Sequence, residues 1–96
     1  MSIPIVLRWQ YRRQVNDAMD AYVEWRQRCA EVWLAYSNWA AARASTVSAC
    51  YAAYTAAVDR EERASQLYAR LVDRVSDLLA ADPELVPAMG AERERR

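Results

Sequence analysis

Between residues 5 and 82 this chain contains neither glycine nor proline, the two residues that most often end a helix. Alanine, arginine, glutamate and leucine are common in the same stretch, and all four are good helix formers. A length of 96 residues allows one domain at most. The sequence therefore predicts an all-α domain, and the open question is how many helices it contains.

Two runs of apolar residues, spaced alternately by four and three, predict two helices that pack side by side. The first run has no interruption: Tyr11, Val15, Ala18, Tyr22, Trp25, Cys29, Val32, Tyr36 and Trp39. Its next step falls on Arg43, where the pattern ends. A second run starts afresh and is broken only by Glu61: Cys50, Tyr54, Ala57, Glu61, Ala64, Tyr68, Leu71, Val75 and Leu78.

This change of phase predicts a long antiparallel hairpin, with helix 1 at about 4–42 and helix 2 at about 46–81. Arg43 would suit the last turn of helix 1, where a cation meets the negative end of the helix dipole. Ser45 or Thr46 would cap helix 2, since a hydroxyl oxygen can accept a free backbone N–H there.

Three alternatives to this single turn remain open. The chain could turn at Ser37 and Asn38, or break near residue 58, where Asp59 and Glu62 resemble a capping box. A phase shift inside one long helix would also fit the pattern.

The hairpin domain is predicted to cover residues 1–82, and a proline marks its end. Pro83, after Asp82, suits a helix stop followed by at most one short turn. Residues 83–96 are therefore predicted to form that short turn and a disordered, charged tail.

The stretch from Val32 to Val58 has one charged residue, Arg43, whereas nine charged residues lie in 8–31 and nine more in 59–77. A turn in the forties brings both halves of this stretch together at the hairpin tip. Two helices alone bury little apolar surface, so we expect two tips to cover each other in a homodimeric four-helix bundle. The predicted self-association residues share this uncharged tip: Trp33, Tyr36, Trp39, Tyr51, Ala53 and Tyr54.

The function predicted from this pattern is binding: a self-associating protein–protein interaction or scaffold module, with another protein as a further possible partner. The alternative is a small-ligand-binding or regulatory dimer that has an aromatic pocket between its helices. Trp and Tyr dominate interface hot spots, but they also fill ordinary cores.

Catalysis and cofactor binding are not expected. The chain has no histidine, which is the commonest general base and metal ligand. Its two cysteines, Cys29 and Cys50, form no CxxC motif and fall on the apolar seams, where we expect them to be buried free thiols. The acidic flank of helix 1 is interspersed with arginine, which favours a solvated, salt-bridged face over a metal site.

Composition also argues against other partners. Thirteen arginines balance thirteen acidic residues, and lysine is absent, a bias typical of a GC-rich bacterial coding sequence. Nucleic acid is not favoured as a partner, because the only basic and aromatic cluster is Arg8, Trp9 and Tyr11 to Arg13. A membrane is not favoured either, since Arg43 and several polar residues interrupt the low-charge stretch from Val32 to Val58. We expect a cytoplasmic protein.

In length and gross shape, and with Trp39 near the turn, the chain resembles the small secreted Trp-x-Gly helical-hairpin proteins. The corresponding residues here are Trp39, Ala40 and Ala41, so the glycine is missing. Their C-terminal Tyr-x-x-x-Asp/Glu signal is absent as well. The resemblance implies a hairpin shape and no function.

Overall fold

The computed structural model describes residues 5–82 and confirms an all-α helical hairpin. Helix α1 spans Ile5–Ala40 and helix α2 spans Val47–Ala81, and the two pack against each other along their length. At about 1.5 Å per residue each helix is about 50 Å long. The prediction for residues 83–96, like that for residues 1–4, lies outside the described residues.

One turn, residues 41–46, joins the helices and is closed by backbone hydrogen bonds. The N–H groups of Thr46 and Val47 both donate to the carbonyl of Arg43, each at 2.9 Å. Among the described residues none has a positive φ, so this turn needs no glycine. That is why a chain without glycine in this region can still reverse direction.

Two predicted details of the turn are wrong. Arg43 lies in the loop, three residues beyond the end of α1 at Ala40. Thr46 occupies the N-cap position of α2 but makes no side-chain cap. Its hydroxyl instead donates to the carbonyl of Arg43 at 3.3 Å, which leaves it facing the turn.

The alternative breaks do not occur. Helix α1 continues through Ser37, whose hydroxyl donates to the carbonyl of Trp33 at 2.9 Å. Helix α2 runs without interruption through Asp59 and Glu62. The phase change is therefore a turn between two helices.

The hairpin buries very little. Only five of the described residues are buried, and four of them are alanines: Tyr11, Ala18, Ala21, Ala57 and Ala64. Their small side chains let the helices approach closely, but they contribute little apolar surface. Tyr11 is the buried centre of a cluster with larger neighbours at the open end of the hairpin, where it packs against residues that include Val75 and Leu79. Most of the large apolar side chains therefore lie outside the core.

Neither of the two helices is long and apolar enough to cross a membrane over the residues that the structure describes.

Candidate interaction surface

Five aromatic side chains form one connected cluster at the hairpin tip. Trp39 of α1 stacks on Tyr54 of α2 with ring centroids 5.3 Å apart, and Tyr51 lies 5.1 Å from the same indole. Tyr36 extends the cluster, with its ring centroid 6.0 Å from those of both Tyr54 and Trp33. The structure thus brings together all five aromatic residues that the sequence analysis placed in the interaction site.

The cluster has an inner and an outer part. Trp39 and Tyr54 are half-buried between the helices and hold the tip together. Trp33, Tyr36 and Tyr51 lie outside them, and Trp33 keeps 71% of its surface exposed. The outer three keep between 45% and 71% of their surface exposed, so they are the candidate contact residues.

Ala53 is not part of this cluster. It lies exposed on the other side of the seam between the helices, because successive residues point about 100° apart around a helix. There it lines a shallow groove of about 380 Å³ with Leu34, Ala35 and Ala49. We call this side the alanine face. The six predicted site residues are therefore divided between two faces.

More large apolar side chains lie on the same side of the hairpin as the aromatic cluster, in the direction of the open end. Residues separated by multiples of seven share a face of packed helices. Tyr22 is fourteen residues before Tyr36, and Met19 is fourteen before Trp33. On α2, Tyr68 follows Tyr54 by fourteen. These residues lie on one side of the hairpin, from tip to open end.

On the half of that side nearer the open end, a groove of about 540 Å³ lies between the helices. Its lining is apolar apart from Ser76: Val15, Ala18, Met19, Tyr22, Val23, Tyr68, Val72, Val75 and Ser76. Met19 and Val23 are both more than half exposed. We call the whole side, from this groove to Trp33, Tyr36 and Tyr51, the aromatic face. The groove was not predicted from the sequence, although the spacing of seven between these residues was a signal for it.

A second group of rings lies at the end of the groove that is nearer the tip. Trp25 stacks on Tyr68 with centroids 5.7 Å apart, and Tyr22 lies 5.5 Å from Tyr68. The indole N–H of Trp25 donates to Glu61 Oε1 at 2.8 Å across the two helices. Glu61, which interrupts the second apolar run, is therefore the acceptor that a half-buried tryptophan needs.

Replacing Trp25 by phenylalanine should cost about 1–2 kcal/mol of unfolding free energy, because it leaves the partly buried Glu61 carboxylate without its donor. Glu61→Gln keeps an oxygen acceptor and should cost less. Urea unfolding at one fixed protein concentration measures both. Equal losses in the two variants would show that the hydrogen bond does not stabilise the hairpin.

The charged residues of α1 pair with one another. Arg28 bonds Glu31 at 2.9 Å and Glu24 at 2.6 Å. Hydrogen bonds to Glu31 and then Glu24 raise the pKa of Arg28 above its ordinary value. Glu31 also lies 3.8 Å from Arg60 of α2. These pairs are substantially exposed, so screening by solvent leaves them with little net effect on stability.

No cluster of three or more metal-ligating side chains occurs in the stretch from residue 5 to residue 82. Cys29 and Cys50 are free thiols and are only half-buried, which makes them more accessible than the sequence analysis expected. At the start of α1, Arg13 lies over the Trp9 ring at 5.7 Å, while Tyr11 is buried in the seam. The basic and aromatic residues there do not form one continuous surface.

No protein-family model, curated protein or solved structure matches this chain.

Proposed function

We propose that this chain is a non-catalytic protein–protein interaction or scaffold module that self-associates through its aromatic face, as a homodimer with a four-helix core. One observation carries the proposal. Thirteen large apolar side chains of the described residues are exposed, outside the hairpin's own core, and seven of them lie on the aromatic face: Met19, Tyr22, Val23, Trp33, Tyr36, Tyr51 and Val72. The buried residues, by contrast, are four alanines and one tyrosine.

That distribution has an energetic consequence. Burial of apolar surface is the main favourable term in folding, and a two-helix core of this kind gains little of it. Monomeric proteins rarely expose large continuous apolar patches. A second copy supplies a matching apolar face and turns two thin cores into one.

The remaining surfaces suit a scaffold. The alanine face stays accessible in such a dimer and offers a site for another protein. Two cysteines that are free and half-buried are compatible with a reducing compartment, so we propose the cytoplasm as the location.

Coupled folding and association should make stability depend on protein concentration. Diluting the protein 100-fold should lower the apparent free energy of unfolding by about 2.7 kcal/mol of dimer, by mass action. Circular dichroism melts over that concentration range measure the shift in Tm. A Tm that does not change with concentration would contradict the dimer.

A ligand-binding dimer is the second candidate, and the apolar groove of about 540 Å³ is the observation that favours it. Pockets for small molecules are commonly of this size and largely apolar. Native mass spectrometry of the purified protein would detect a stoichiometric bound molecule. A dimer whose mass equals that of two chains alone, and which takes up no hydrophobic dye, would count against this candidate.

A further inference from the structure

Two exposed charges of opposite sign flank the aromatic face at its middle. Arg26 lies on α1, seven residues after Met19 and seven before Trp33. Glu62 lies on α2, fourteen residues before Ser76 of the groove. Within the part of the chain that the structure describes, neither side chain forms an ion pair.

These two charges are at the same height along the hairpin. Each directly follows one member of the hydrogen-bonded pair Trp25 and Glu61. Arg26 is at the α1 edge of the aromatic face and Glu62 is at its α2 edge. In helical bundles, charges at such flanking positions select partner and orientation.

Two symmetric dimers can cover the whole aromatic face. With both tips at the same end, the two-fold axis runs along the bundle, and α1 of each copy lies against α2 of the other. Arg26 of one copy then lies beside Glu62 of the second copy, and symmetry makes this contact twice.

With the tips at opposite ends, the two-fold axis crosses the helices, and α1 lies against α1. Full coverage of the face requires this axis near its middle, at the height of Arg26. The two copies of Arg26 then approach each other at one edge, and the two copies of Glu62 do so at the other. Like charges across an interface oppose association.

Given the dimer proposed above, on which this inference rests, we infer that the partner of the aromatic face is a second copy with its tip at the same end, and that Arg26 and Glu62 determine this orientation. The uncharged tips lie side by side, and the two apolar grooves face each other. The contact covers the face from Val15 to Tyr36 of α1.

Charge reversal tests the pairing through the dimer dissociation constant, measured by sedimentation equilibrium. Arg26→Glu and Glu62→Arg should each weaken the dimer about tenfold, because each turns two attractive contacts into two repulsive ones. The double variant should return to within about threefold of the wild type, since it restores opposite charges. Arg63→Glu is the matched control. It lies fourteen residues after Ala49 on the alanine face and should leave the constant unchanged.

The inferred orientation would be contradicted if the single reversals left the dissociation constant unchanged, or if the double variant dimerised as weakly as the single variants. With opposite tips, each reversal only exchanges one like-charge contact for another. A wild-type protein that is monomeric in the same experiment would instead refute the proposed self-association itself, so the two failures are distinguishable.

A distance measurement gives an independent answer. A nitroxide label on Ser45→Cys, with Cys29 and Cys50 both replaced by alanine, marks the tip of each copy. Tips at the same end should give a label separation below about 30 Å, on the scale of a bundle two helices wide. Tips at opposite ends would lie about 45 Å apart along the helix axis, and that result would overturn the inference.

Discussion

Replacing Trp33 by glutamate is expected to weaken the dimer at least about 100-fold, the scale of losing an interface tryptophan. Trp33 is 71% exposed and lies at the outer edge of the aromatic face. In the dimer a glutamate there would be a charge buried in an apolar contact, once on each copy. Because the hairpin does not bury Trp33 itself, its helicity should be retained. Sedimentation equilibrium and circular dichroism measure the two effects.

Leu34→Glu is the matched control. Leu34 is 64% exposed, so the two substitutions disturb side chains of similar exposure. It lines the groove of the alanine face, away from the proposed contact, and its substitution should leave the dissociation constant within about threefold of wild type. Weakening by Leu34→Glu alone would show that the alanine face is the interface.

The second large effect is expected at Ala57, where glutamate should cost more than about 3 kcal/mol of unfolding free energy. Ala57 is 1% exposed and is the most deeply buried of the described residues. A longer, charged side chain would separate the helices or be buried without a partner. That loss is a large share of the stability of a small domain, so cooperative unfolding should disappear at moderate protein concentration.

Ala56→Glu is the control for that substitution. Ala56 is exposed and is the neighbouring residue of the same helix, so the change should cost no more than about 0.5 kcal/mol. Urea unfolding followed by circular dichroism, at equal concentrations of both variants, compares them. If Ala57→Glu proved as stable as Ala56→Glu, the helices would not pack at this residue.

The hairpin could be predicted because apolar spacing and the missing breakers reflect local helix physics. Tyr11, Ala18, Ala57 and Ala64 all lie on the predicted seams and are buried. The seam of α1 is nevertheless rotated from the prediction. Ala21, which the spacing omitted, is buried, because an alanine fits the close approach of the helices better than the bulky ring of Tyr22 does.

The details that sequence reasoning missed depend on which residues meet in three dimensions. Glu61 seemed only to break an apolar run, because its donor, Trp25, is 36 residues away. Thr46 has a hydroxyl suited to capping, but the geometry of the turn gives it the carbonyl of Arg43 instead. Such pairings cannot be deduced from spacing along one helix.

The candidate site was predicted in part for a similar reason. Low charge identified the tip as a region, and the structure does bring its five aromatic rings together. Charge alone does not distinguish the sides of a helix, so Ala53 was grouped with residues on the opposite face. The groove beside Met19 escaped notice because its residues lie within the charged half of the chain.

Self-association is tested most directly by the mass of the full chain in solution. Multi-angle light scattering over a concentration series should be made under reducing conditions, because Cys29 and Cys50 are partly accessible. We predict a mass of about 22 kDa, twice the 11.0 kDa of one chain. A mass of 11.0 kDa at every concentration, from a protein that keeps its helical spectrum, would contradict the dimer.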